Sequence, residues 1–280
     1  MEAYTFSIVA ICSFGVIGNS LVIASLLRQK ILLKKNFYFL VLHLAICDLL
    51  VLLKIFPIYI IRVTTSFNCV RMDRTIVWFQ ISGVSMMLII SFLRYRAIVH
   101  PLKPSFSRRK IKIVCGLAYI IGFLMAVEVA TQPCFLGPKG RYYIYTLLAF
   151  YACFYIIPVM FMTVVYSIIA RALIKQKKAL KAFSNVTQSH LQSNSSLQRH
   201  TQNRKTFFVC ISTVFCFALG HIYFTIARLD MFHSAETNLL NLLVAYCFRV
   251  LGSHAVNPLI YGVLDRKVLC FWKRCTGRQI

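Results

Sequence analysis

Long apolar runs, separated by short clusters rich in Lys, Arg, Ser and Gln, dominate the chain. Seven such runs fall near residues 5–27, 37–61, 74–98, 111–130, 143–173, 206–228 and 237–262. A helix needs about 20 apolar residues to cross a hydrocarbon core, and each run reaches that scale. The alternating pattern of a membrane β-barrel, in segments of about ten residues, does not occur. The pattern therefore predicts an all-α fold: one domain over residues 1–280, a bundle of seven transmembrane helices. Pro158 and Pro258 lie inside the fifth and seventh runs. Bundled membrane helices tolerate proline where neighbours satisfy the freed carbonyl.

Composition agrees with this reading. Hydrophobic residues make up 59% and charged residues 14%, against roughly 25% charged in an ordinary soluble domain. Glu2 stands where a signal peptide carries positive charge, so residues 5–27 are expected to stay as the first helix. The basic residues cluster at alternate segment ends: Arg28 to Lys35, Arg94 to Lys112, Arg171 to Lys205 and Arg266 to Arg278. The positive-inside rule then places the N-terminus outside and the C-terminus in the cytoplasm. A net charge of +25 suits anionic inner-leaflet lipid at these positions, and no nucleic-acid partner is expected.

Lys175 to Arg204 is rich in Ser, Gln and Asn and reads as a mobile cytoplasmic loop or a helix extension. The glycosylation patterns at Asn185 and Asn194 fall on this cytoplasmic side and read as chance matches. Most of the 11 cysteines lie inside apolar runs and read as small core residues. Cys69 and Cys134 instead fall at extracellular ends, where an oxidising compartment lets them pair; the alternative is two unpaired thiols. Residues 264–275 form a basic, amphipathic stretch that predicts a short helix on the inner leaflet. Its Cys270 and Cys275 are either palmitoylated or free.

Several motifs recur in a fixed order: Gly18-Asn19, Leu44-Ala45-Ile46-Cys47-Asp48, Leu93-Arg94-Tyr95 followed by Pro101-Leu102, Pro158 with Tyr166, and Asn257-Pro258-Leu259-Ile260-Tyr261. In this order and on these helices the chain resembles the rhodopsin-like (class A) G protein-coupled receptors over nearly its whole length. The resemblance implies a plasma-membrane receptor, not an enzyme, with a heterotrimeric G protein and arrestin as partners. It implies coupling roles for Arg94, Tyr95, Tyr166 and Tyr261, and an activation core of Asp48, Asn19, Asn257, Pro258 and Phe217. It also makes Asp48 the family's sodium-site carboxylate, so a sodium ion is the one cofactor in question. Gly83 stands where a further oxygen ligand is expected, although Ser82 or Ser85 could contribute. A protonated, hydrogen-bonded Asp48 is the alternative.

The chain also departs from the family pattern. Leu93 replaces the acid beside the arginine, and Arg199 stands near the start of helix six, where many relatives carry a second acid. Such an inactive state is weakly locked, which implies either raised basal signalling or a coupling-impaired decoy. Phe217 replaces the helix-six tryptophan, Leu219 replaces the kinking proline, and Gly220 could restore some bending. In helix four, Tyr119 stands for the usual tryptophan and Glu128 for a common proline.

The outer half offers a mixed pocket of Ile76, Gln80, Glu128, Phe217, His221, Phe224 and Arg249. No lysine lies between Thr237 and Tyr261, which removes a retinal Schiff base. Ile76 stands where amine receptors place an aspartate, with Asp73 one turn outward. Arg249, deep in helix seven, must pair, snorkel or line a wet cavity. It can receive a carboxylate from a peptide or an acidic lipid, pair internally with Glu128 or Asp230, or snorkel on the lipid side. The general run of motifs resembles peptide receptors, so a neuropeptide ligand is expected, with a lipid or other small molecule as the alternative. A transporter would show inverted repeats and more midplane charges. A membrane hydrolase would cluster its histidines, whereas His43, His100, His190, His200, His221, His233 and His254 are scattered.

Overall fold

A computed structural model describes residues 2–64, 74–104, 106–131, 148–186, 190–233 and 239–264. The described residues are almost wholly helical. They form α1 (Glu2–Arg28), α2 (Asn36–Thr64), α3 (Arg74–Val99), α4 (Arg108–Thr131), α5 (Ile157–Val186), α6 (His190–His233), α7 (Leu239–Val250) and α8 (Asn257–Leu264). A single helical turn, Lys30–Leu33, links α1 to α2. Helices α1 to α6 are long and apolar enough to cross a membrane. The seventh run crosses in three pieces, as α7, a π-helical turn Leu251–Ala255, and α8.

That division follows from Pro258. Proline has no N–H to give to the carbonyl four residues back and its ring crowds that carbonyl, so the ladder breaks just upstream. The chain answers with a wider turn, in which Val256 N–H reaches the Leu251 carbonyl at 3.0 Å. Pro158 has the same effect in the fifth span, where Ala152–Ile156 forms a second π-helical turn. The continuous helix expected over 237–262 is thus replaced by a segmented one. In the sixth span the difference has the opposite sign. The sequence pattern starts that helix near 206, yet α6 begins at His190. The polar segment before 206 carries no helix breaker, and it extends α5 and α6 beyond the apolar runs that define their spans.

Helix α3 is the central strut, packing on α2, α4 and α5, while α6 packs on α5 and on the seventh span, and α1 closes the ring against α2 and the seventh span. A core of Leu40, Val41, Met86, Met162, Tyr166 and Ile169 fills the middle. Leu117, Phe123, Leu124, Met160 and Phe161 of α4 and α5 face outward, as lipid-facing residues must. The α6–α7 crossing depends on two glycines. A Cβ at Gly252 would collide with the Cys216 carbonyl, and one at Gly220 would meet the Phe248 carbonyl at 2.9 Å. Gly220 therefore serves close approach, not bending: α6 runs as one α-helix through it, and Leu219 turns outward, 54% exposed.

The expected Cys69–Cys134 disulfide and the amphipathic helix near 264–275 lie outside the described residues, apart from Leu264 at the end of α8.

Candidate functional site

Two polar clusters stack along the bundle interior. In the outer one, Arg249 leaves the last turn of α7 and is 3% exposed. Its Nη2 donates to Gln80 Oε1 on α3 at 2.6 Å, and the Tyr155 hydroxyl donates to the same oxygen at 3.4 Å. The guanidinium lies 4.6 Å from the centre of the Phe224 ring and 5.9 Å from that of Tyr155. His221 stacks on Tyr155 at 4.2 Å and tilts against Phe217 at 4.3 Å. Arg249 Nε and His221 Nδ1 are buried with no hydrogen-bond partner among the described residues. A guanidinium has five N–H donors. One walled by aromatic rings is attracted to their faces and holds donors for a carboxylate or carbonyl oxygen.

Gln80, Phe217, His221, Phe224 and Arg249 thus lie together in one cluster. Ile76 does not join them; it packs in a separate outer cluster with Ile8, Leu52, Cys247 and Val250. The side chains of Glu128 and Asp230 lie outside the described residues.

The inner cluster surrounds Asp48, 1% exposed on α2. His254 Nδ1 lies 2.8 Å from Asp48 Oδ1, and Asn257 Nδ2 donates to Asp48 Oδ2 at 2.8 Å. Asn257 Nδ2 also donates to the Ser253 carbonyl at 3.1 Å. Pro258 leaves the His254 carbonyl without its helical donor, and Asn19 Nδ2 takes that carbonyl at 3.0 Å while also donating to Gly15. Asn19 therefore mends the ladder that Pro258 breaks, tying α1 to the seventh span. Between the two clusters lies a cavity of about 10 Å³ lined by Asp48, Gln80, Gly83, Phe217, His221 and His254. That is room for about one water.

At the inner end of α3, the Arg94 guanidinium lies 3.8 Å from the centre of the Phe37 ring. Arg96 and Arg108 use Phe106 and Phe39 in the same way, at 4.3 and 3.7 Å. Tyr166 Oη lies 3.0 Å from Ser91 Oγ, which donates to the Met87 carbonyl at 2.8 Å, so the tyrosine hydroxyl is the donor in the first pair. Tyr95 meets His100 edge-on, its hydroxyl 3.4 Å from Nε2. The side chain of Tyr261 lies outside the described residues.

Three participants escaped sequence reasoning. His254 was one of seven scattered histidines, yet it stands three residues before Asn257, on the same helical face. Tyr155 reads as one more aromatic in an apolar run, and only the π-helical turn before Pro158 sets its direction. Ser91 carries no motif at all.

A family model described as "7 transmembrane receptor (rhodopsin family)" matches residues 18–261. The chain belongs to the rhodopsin family of seven-transmembrane receptors. The receptor is 28% identical to the human thyrotropin-releasing hormone receptor over 97% of its own length and 77% of that relative's. It is 24% identical to the Tachykinin-like peptides receptor 86C of Drosophila melanogaster, over 69% of this chain and 41% of that one. Against the Neuropeptide F receptor of the same fly, identity is 24% over 95% of this chain and 61% of the relative. The receptor thus spans less than two thirds of the length of each of the two fly relatives. Squid rhodopsin shares the fold, with a TM-score of 0.82 at 17% identity over 99% of this chain and 87% of that one.

Proposed function

We propose that the receptor carries a peptide signal across the plasma membrane to a heterotrimeric G protein, with its N-terminus outside and its C-terminus in the cytoplasm. The names of its relatives, receptors for thyrotropin-releasing hormone, tachykinin-like peptides and neuropeptide F, support a peptide ligand. The observation that carries the reading is Arg249. It is a buried guanidinium held by Gln80 and walled by Phe224 and Tyr155, with donors left over. Such a group suits a carboxylate or carbonyl at one end of a short peptide. The ligand enters from the outer face and reads Gln80, His221, Phe224 and Arg249; a pairing of Cys69 with Cys134 would fix the entrance.

Below this pocket, Phe217, Asp48, Asn257 and Pro258 form the core that relays the signal inward. Arg94, with Tyr95, Tyr166 and Tyr261, meets the G protein. Arrestin and inner-leaflet lipid share that cytoplasmic face, which carries most of the chain's cations.

The test is basal and ligand-stimulated signalling across a panel of G protein reporters, comparing wild type with Arg94→Ala at matched surface expression. A signal lost on substitution is the expected result. Retained signalling in Arg94→Ala would remove the arginine from the coupling role. A panel of amidated and free-acid neuropeptides then tests the ligand side, with Arg249→Gln expected to weaken binding by about tenfold or more, the scale of a buried charge-assisted hydrogen bond.

A further inference from the structure

The surroundings of Asp48 do not suit the cation that the family pattern assigns to it. A hard cation takes oxygen ligands, yet the groups that meet this carboxylate are nitrogen donors. His254 Nδ1 takes one oxygen and Asn257 Nδ2 the other, each at 2.8 Å. Neither neighbouring amide can simply turn its oxygen inward. Asn257 Nδ2 is also held by the Ser253 carbonyl at 3.1 Å, and Asn19 Nδ2 is held by two carbonyls, of Gly15 and His254, at 2.9 and 3.0 Å. A flip would set oxygen against oxygen at each contact. Gly83 faces the same cavity and offers no side-chain oxygen. Ser253 lines it too, and its Oγ, like Asn19 Oδ1 and Asn257 Oδ1, is buried with no hydrogen-bond partner among the described residues. Both carboxylate oxygens, however, already face nitrogen donors, and the cavity holds about 10 Å³. That is space for one water-sized occupant, not for a hydrated ion.

The imidazole fits where the ion does not. A hydrogen on Nδ1 pointing at Asp48 leaves Nε2 as an acceptor, and Gln80 Nε2 faces it at 3.5 Å. Gln80 in turn receives Arg249 at 2.6 Å. One ring therefore joins α2, α3 and the seventh span.

We propose that His254 permanently occupies the place of the monovalent cation, so that the tie between α2 and the seventh span is built from the chain's own atoms and does not respond to sodium. His254 is a positioning residue: through Gln80 it also fixes Arg249 relative to Asp48. The proposal concerns the carboxylate alone and holds whatever the ligand is.

The experiment uses the full-length receptor purified in nanodiscs, with its thermal unfolding midpoint measured in sodium chloride and in N-methylglucamine chloride at equal ionic strength. Wild type is expected to unfold at the same temperature in both. His254→Ser removes the ring and supplies a hydroxyl. In that variant, sodium at about ten times its dissociation constant is expected to raise the midpoint by about 3 °C. Sodium-specific stabilisation of the wild type would overturn the proposal, and so would a folded His254→Ser variant as blind to sodium as the wild type. Should that variant fail to fold, sodium-23 line widths of the wild type decide the matter. Broadening that potassium cannot relieve would overturn the proposal, and its absence would support it. His254→Asn, which keeps an N–H near the Nδ1 position, is expected to remain sodium-blind.

Discussion

The bundle holds its charges by two different means. At mid-membrane the Asp48 carboxyl group is met by N–H donors from His254 and Asn257, with Asn19 repairing the backbone beside them. At the Arg94 end of α3, Arg94, Arg96 and Arg108 rest on the rings of Phe37, Phe106 and Phe39, and Arg96 and Arg108 also donate to the Pro104 and Leu33 carbonyls at 3.1 and 2.8 Å. The difference follows from water. A carboxylate with no access to solvent must receive directed hydrogen bonds or leave them unmade at the full desolvation cost. A guanidinium near the interface keeps part of its hydration, and a ring face adds about 0.5–2 kcal/mol beside the hydrogen bonds the group makes. The midplane cluster is therefore held by fully buried, directed hydrogen bonds, and the Arg94 end by ring faces and hydrogen bonds that stay partly hydrated.

The largest effect should come from breaking the midplane side. Asp48→Leu removes both acceptors at once and leaves the His254 and Asn257 donors buried and unanswered. Breaking a buried charged network in this way costs about 3–5 kcal/mol. The expected outcome is a sharp loss of surface expression and a thermal midpoint lower by about 10 °C. Asp48→Asn keeps a carbonyl for one donor and should lose roughly half as much. Equal midpoints for Asp48→Leu and wild type would show that the donors find other partners, and the contrast between the two ends would lose its basis.

Much of this was legible in the chain. Apolar run length alone gives the bundle, because a bilayer allows few other solutions. Asp48, Asn257 and Pro258 announce themselves as polar or kinking residues where lipid forbids them. What the sequence hides is direction. Tyr155 and His254 lie buried within the π-helical turns before Pro158 and Pro258, whose cause is local while the contacts these residues make are remote. Gly220 is legible as a glycine but not as a spacer, since the carbonyl it avoids belongs to Phe248 on another helix. The aromatic seats of the three arginines are equally hidden, because Phe37, Phe39 and Phe106 read as ordinary apolar residues until the helix ends converge.

A smaller change sharpens the comparison by giving the inner end what the midplane has. Leu93→Asp places a carboxylate beside Arg94, in competition with the Phe37 ring. Leu93 lines the same outward groove as Lys110, so the new anion has a second cation within its surroundings. A half-exposed ion pair is worth up to about 1 kcal/mol, which shifts a two-state equilibrium by about fivefold. Ligand-free reporter signalling at matched surface expression is therefore expected to fall by up to that factor. An unchanged signal would mean that the ring, not the missing acid, sets how readily the arginine moves.

Phe37→Leu tests that ring directly and should have the smallest effect. Leucine preserves an apolar side chain at the end of α2 but has no π-face, so the substitution separates the quadrupole from the packing. The cation–π contribution at a partly hydrated site is about 0.5–1 kcal/mol. The thermal midpoint should fall by about 2 °C, while ligand-free signalling should rise by about two- to fivefold as Arg94 gains freedom to leave α2. The two readouts discriminate between causes. A lower midpoint with unchanged signalling would assign Phe37 to packing alone. A raised signal that Leu93→Asp then reverses in the double variant would show that ring and carboxylate compete for one guanidinium.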